Sequence, residues 1–155
     1  MAKVLERHGT LYDEDLLAWS EQQAAHLRAG QLDRLDAAHL IEELEGMAAS
    51  RRRKVKRRLR VLLMHLLKWD FQPRRRSRSW ASTIAEQRAR IEDLLEESPS
   101  LRPELEATAR AAYPQALKRA AIETGLPRQT FPADLRYDLS RILGDEDGPD
   151  GAMSG

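Results

Sequence analysis

From Arg51 to Trp80 the chain reads RRRKVKRRLRVLLMHLLKWDFQPRRRSRSW, a basic stretch that runs into an apolar one and out into a second basic cluster. At 100° per residue, Val55, Leu59, Leu62, Leu66 and Trp69 form one stripe, which Leu63 and Leu67 widen. From Val61 to Trp69 only His65 and Lys68 are polar. A helix apolar nearly all round is buried on several sides, so this segment is expected to be the central rod of a bundle. Arg52, Arg53, Arg57 and Arg60 face away from the stripe, which predicts one wet face on its first half.

The same periodicity extends in both directions. Thr10 followed by Asp13 predicts an N-cap with an acidic first turn, opening a helix that Gly30 ends. Its inward stripe is Tyr12, Leu16, Trp19, Gln23 and Leu27, with His26 on the margin. Asp33 or Asp36 caps the next helix, whose stripe is Ala37, Leu40, Ile41, Leu44, Met47 and Ala48. The pattern leaves two readings of 36–70: two helices broken at Gly46, with Ser50 capping the second, or one kinked helix. Pro73 ends it, because proline disfavours the helical region in the residue before it. Ser77 or Ser79 caps a helix with Trp80, Ile84, Ile91, Leu94 and Leu95 inward, stopping at Ser98-Pro99. Ser100 opens another towards Ala121, which Pro114 should kink or split. Gly125 is its expected C′ residue, and a short helix is expected at 138–143. The fold class read from this is all-α, an antiparallel bundle of four to five helices around a central apolar helix at about 51–70. Residues 1–9 read as a flexible N-terminus, 10–143 as one helical domain, and 144–155 as an acidic, Gly-rich disordered tail.

Charge changes this picture more than composition does. The net charge is only +1, yet residues 51–78 hold 13 of the 26 basic side chains and one acid, Asp70, so they carry +12. The remaining 13 basic and 24 acidic residues carry −11. There is no cysteine, which removes disulfides and thiolate metal sites and fits a reducing compartment. No apolar run reaches the ~18 residues of a membrane span. MAKVLERHGT lacks the apolar core of a signal peptide, so a cytoplasmic location is expected.

The segments YDEDLLAWSEQQAAHLRAG, HLIEELEGMA, LRVLLMHLLKWDFQP, RSRSWASTIAEQRARIEDLLEESPSL and ETGLP together resemble the bacterial family filed as domain of unknown function 29, over roughly residues 11–143. The resemblance implies a compact, all-helical, soluble protein and brings no assigned activity. The chain departs from it at Tyr113-Pro114 and in the uniformly basic 50–54.

Three groups of residues could carry chemistry. His39-x-x-Glu42-Glu43 offers i, i+3 and i, i+4 metal-ligand spacing, but it lies opposite the Leu40/Leu44/Met47 stripe, where a solvated pair is the default. Gln23, His26, His65, Trp69, Trp80, Gln87 and Arg88 fall on or beside inward stripes. They read either as a buried polar network that fixes helix register or as a pocket of apolar walls with convergent polar groups. Arg52, Arg53, Arg57, Arg60, Arg74, Arg75, Arg76 and Arg78 form a surface for internal pairing with Glu42, Glu43, Glu92 and Glu96, for a homo-oligomer, or for phosphates. No Ser-His-Asp spacing, Gly-rich phosphate loop or nucleophile elbow is present, and no cofactor is implied. The leading expectation is a non-enzymatic interaction module acting through a protein partner or as a homo-oligomer. The alternatives are a nucleic-acid-binding protein using 51–78, and a small-molecule or metal-binding bundle with a pocket near His65.

Overall fold

Local stop signals and four side-chain caps set the helix boundaries. The computed structural model describes residues 11–145, and over these the chain is helical, without a strand. The expected loose segment 1–9, the Thr10 cap and the tail beyond 145 lie outside the described residues. Helical backbone at 11–14 is interrupted at Asp15, whose carboxylate accepts from the Ala18 amide at 2.9 Å and so caps α1, Leu16–Arg28. The single helix expected from Thr10 to Gly30 is therefore divided, because the aspartate offers the backbone a side-chain acceptor in place of the helical ladder. Gly30 turns the chain away at a φ of +69°, where a side chain would be strained.

A short 3₁₀ turn, Leu32–Arg34, leads into α2, Ala37–Phe71, an unbroken helix of 35 residues. Neither Gly46 nor Ser50 interrupts it. Asp36 caps it, accepting from the His39 amide at 3.4 Å. The chain leaves at Gln72-Pro73 and passes through a 3₁₀ turn, Pro73–Arg75. In α3, Arg78–Glu97, the Ser77 hydroxyl accepts from the Trp80 amide at 3.2 Å. A 3₁₀ stretch, Pro99–Glu104, takes the place of the α-helical start expected at Ser100. Next comes α4, Leu105–Thr124, which Gly125 closes in the left-handed conformation. Pro114 does not split α4. It removes one backbone donor, but Arg110, whose carbonyl loses that bond, and Pro114 itself are both exposed, so water can take the donor's place. After a last 3₁₀ turn, Arg128–Thr130, Asp138 caps the short α5, Leu139–Leu143.

The contacts gather into two compact units that meet at Ala49–Ser50, and α2 runs through that boundary. The C-terminal unit holds one core. Leu59, Leu62, Leu63, Leu66 and Leu67 of α2 are wholly buried, as are Ile84, Ile91 and Leu95 of α3 and Ile142 of α5. The expected rod is thus the best-covered segment described. From α4 the core takes a face of small side chains, Ala109, Ala112, Ala116 and Ala120, each at most 1% exposed. In the N-terminal unit α1 and the first turns of α2 make a helical hairpin, where only Trp19 and Gln23 are buried among the described residues.

Candidate functional site

Asp36 is the hub of the hairpin. Its backbone amide donates to Gln23 Oε1 at 2.7 Å, while its carboxylate takes Trp19 Nε1 at 3.1 Å and His39 Nδ1 at 2.6 Å. Burial would raise the Asp36 pKa, but the hydrogen bonds from His39 and Trp19 hold it below the usual carboxylate range. Donating to Asp36 raises the His39 pKa in return, against burial. Tyr12 stacks on the His39 ring at 3.9 Å and donates its hydroxyl to Glu43 at 2.5 Å. That bond to a carboxylate pushes the phenol up to about 12. His39 and Glu43, two of the three weak metal candidates, are thus engaged in holding the hairpin closed. Among the described residues no group of three or more His, Asp or Glu side chains is placed to hold a metal ion.

What this polar clasp leaves outside is apolar. Both hairpin stripes were expected to face inward, and beyond Trp19 and Gln23 they largely do not. Leu16 is 50% exposed, Leu17 70%, Leu27 51%, Ile41 54%, Leu44 64% and Met47 66%. The physical reason is thickness: two helices share one seam, so only the residues at that seam are covered. Most of these side chains line an open groove of about 700 Å³ between α1 and α2, with Trp19 and Gln23 at its floor. The buried Nε2 of Gln23 has no acceptor among the described residues. The periodicity of 16–27 and 40–47 marks this stripe in the sequence, but a wheel carries no signal of whether anything covers it.

The other polar candidates go to separate partners. His26 Nδ1 lies 3.1 Å from Gln31 Oε1 within the hairpin. In the C-terminal unit, His65 Nδ1 lies 2.9 Å from its own helix at Val61 O, and burial lowers its pKa. Arg76 donates to Trp69 O at 2.9 Å and sits over the Trp69 ring at 4.9 Å. Lys68 reaches Glu123 at 2.9 Å and lies over the Trp80 ring at 4.6 Å. Gln87 is buried with Oε1 unpartnered among the described residues. Arg88 donates to Ile142 O at 2.9 Å and Arg141 O at 2.8 Å, closing the end of α5. One network lay outside the sequence reading: Asp70 accepts from Tyr137 at 2.7 Å and Arg141 at 2.8 Å.

The arginine surface divides in two. Arg52 makes a forked pair with Glu104 at 2.9 and 3.1 Å, Arg51 pairs with Glu97, and Arg60 bonds Gln115. None of these partners is among Glu42, Glu43, Glu92 and Glu96; Glu92 pairs with Arg102 instead. Helix periodicity puts Arg51 and Arg52 on known faces, but the opposing element is fixed only by tertiary packing. Arg53, Lys54, Lys56, Arg57 and Arg58 have no ion pair among the described residues, and Arg74, Arg75 and Arg78 are exposed.

A family model described as domain of unknown function DUF29 covers residues 11–146. No curated protein and no solved structure is significantly similar to the chain. No helix among the described residues is long and apolar enough to cross a membrane.

Proposed function

The chain belongs to the DUF29 family, and from that premise we propose that it is an interaction module that docks a protein partner through the open face of its N-terminal hairpin. The observation that carries this reading is the row of Leu16, Leu17, Leu27, Leu44 and Met47 around the groove, each between half and 70% exposed. Contiguous apolar surface of this kind is uncommon on a monomer and characteristic of protein contact sites. Two further features support it. Tyr12 with Glu43 and Asp36 with His39 are turned to one another, so what lines the groove is mainly apolar contact rather than convergent chemistry. Residues 11–49 hold nine acids against two arginines, a net −7, which favours a cationic amphipathic helix as the partner element. A helical peptide with leucines on one face and lysines beside them tests this. It should shift the backbone amide NMR signals of 16–27 and 40–47 and leave 59–67 unmoved. An equal response to a scrambled peptide would refute the docking face.

A second reading rests on the five unmatched cations of 53–58: the run contacts phosphates of nucleic acid. Titration with duplex DNA separates this from the first. Complex formation that survives ~150 mM salt with a steep salt slope supports phosphate contact. Binding that vanishes there leaves the hairpin as the working surface.

A further inference from the structure

The irregular segment that follows α4 is tied down by two tyrosines. Tyr113 of α4 donates its hydroxyl to Pro132 O at 2.6 Å, and Tyr137 donates to Asp70, near the end of α2, at 2.7 Å. Phe131 adds an edge-on contact with Phe71, the ring centres 5.2 Å apart. Between these ties the chain leaves a cavity of about 230 Å³, lined only by residues of the C-terminal unit. It is not the pocket expected near His65, since His65 does not line it. We propose that this cavity binds a small carboxylate whose body is one ring or a short branched chain, a function separate from docking by the hairpin.

The make-up of the wall carries the argument. Leu67, Phe71, Tyr113, Pro132 and Tyr137 give it apolar surface. Both tyrosine protons are spent on the protein itself, so neither hydroxyl is left to donate to an anion. The other side-chain donors of the wall are the guanidinium groups of Arg76 and Arg136. Arg76 Nε is committed to Trp69 O at 2.9 Å, but its charge remains at the cavity. Arg136 has no hydrogen bond or ion pair among the described residues, and neither has the nearby Asp134, whose charge acts on Tyr113. The one acid of the wall, Asp70, is answered by Arg141 at 2.8 Å. An arriving anion therefore meets two cations and a carboxylate that is already matched. Leu67 and Tyr113 are buried, whereas Arg76 and Arg136 are exposed, which sets the polarity of the ligand. Its apolar body goes inward and its carboxylate stays at the wet side, where a guanidinium fork matches the planar anion. Volume sets its size, because pockets for drug-sized ligands hold ~300–1,000 Å³ and this one is smaller.

NMR titration of the full chain with phenylacetate tests the site. Phenylacetamide is the control without charge, and acetate the control without a body. Phenylacetate should move the backbone amide signals of 67–71 and 133–137 and leave 16–27 and 40–47 unmoved, with a Kd of about 1 mM or tighter. Both controls should bind at least about tenfold more weakly. Arg136→Gln should weaken phenylacetate binding about fivefold, less than at a buried pair because Arg136 is exposed. The same exposure leaves the fold of that variant intact, which unchanged amide signals at 59–67 would show. Equal binding of phenylacetamide overturns the role of the cations, and equal binding of acetate overturns the role of the cavity. Arg136→Gln binding as well as the parent chain, shifts centred on 16–27, or no shift at ~10 mM overturns the site as a whole.

Discussion

Replacing Leu66 by alanine measures how far the C-terminal unit depends on the α2 rod. The side chain is wholly buried, so three carbons leave a site with no solvent contact. At ~0.8 kcal/mol per carbon the transfer cost is about 2.4 kcal/mol. A residual void of ~50 Å³ adds about 1.2 kcal/mol at ~24 cal/mol per Å³. The expected loss is about 3.6 kcal/mol, which for a unit of ~100 residues lowers Tm by roughly 14 °C or more. Urea titration followed by circular dichroism gives the free energy. Amide hydrogen exchange gives its location, because residues 62–67 should be the last to exchange in the native chain and should lose protection together in the variant. Leu44→Ala is the control: at 64% exposure it should cost within ~0.5 kcal/mol in the single chain and leave 62–67 untouched. A Leu66→Ala cost below ~1 kcal/mol, or protection at 62–67 no higher than at 16–27, would refute the central-rod account.

The two units should respond to pH with opposite signs. His65 has a folded pKa below its ordinary 6.5, so its contribution is intact above 6.5 and is lost as pH falls from there through the folded value. His39 has a folded pKa above 6.5, so its contribution is intact below 6.5 and is lost as pH rises through the folded value. Exchange rates of 16–27 and 62–67 across pH 5–8, corrected for intrinsic rates, report each separately, and a shared direction contradicts the assignment. Asp70→Asn keeps the shape but weakens acceptance from Tyr137 and Arg141, and should cost about 1–2 kcal/mol with faster exchange at 139–143. Stability equal to the parent chain would show that the network is idle.

The sequence showed the rod because α2 is apolar nearly all round there, a pattern that burial on several sides explains. It also showed Ser77 and Gly125, since cap and stop residues act within one turn of themselves. It misplaced the hairpin stripes for a different reason: amphipathicity states which face avoids water and leaves open whether the chain itself supplies the cover. The Asp70–Tyr137–Arg141 network spans 67 and 71 residues of sequence, and no local pattern links its members. Arg52 was visible as a surface cation, but its forked partner Glu104 depends on where the 3₁₀ stretch before α4 comes to rest.

The alanine face of α4 has a consequence for how this chain can vary. At Ala109, Ala112, Ala116 and Ala120 the side chain is one carbon long and the covering is complete. What is constrained there is volume, not water-avoidance. Valine or leucine is more apolar than alanine, yet has no room, and overpacking costs about 1–3 kcal/mol. Serine is smaller than either and less disruptive. In a saturation library α4 should therefore behave as a size filter that rejects larger hydrophobic residues while admitting small polar ones. The 59–67 stretch of α2 should do the reverse, exchanging leucine for methionine and refusing serine.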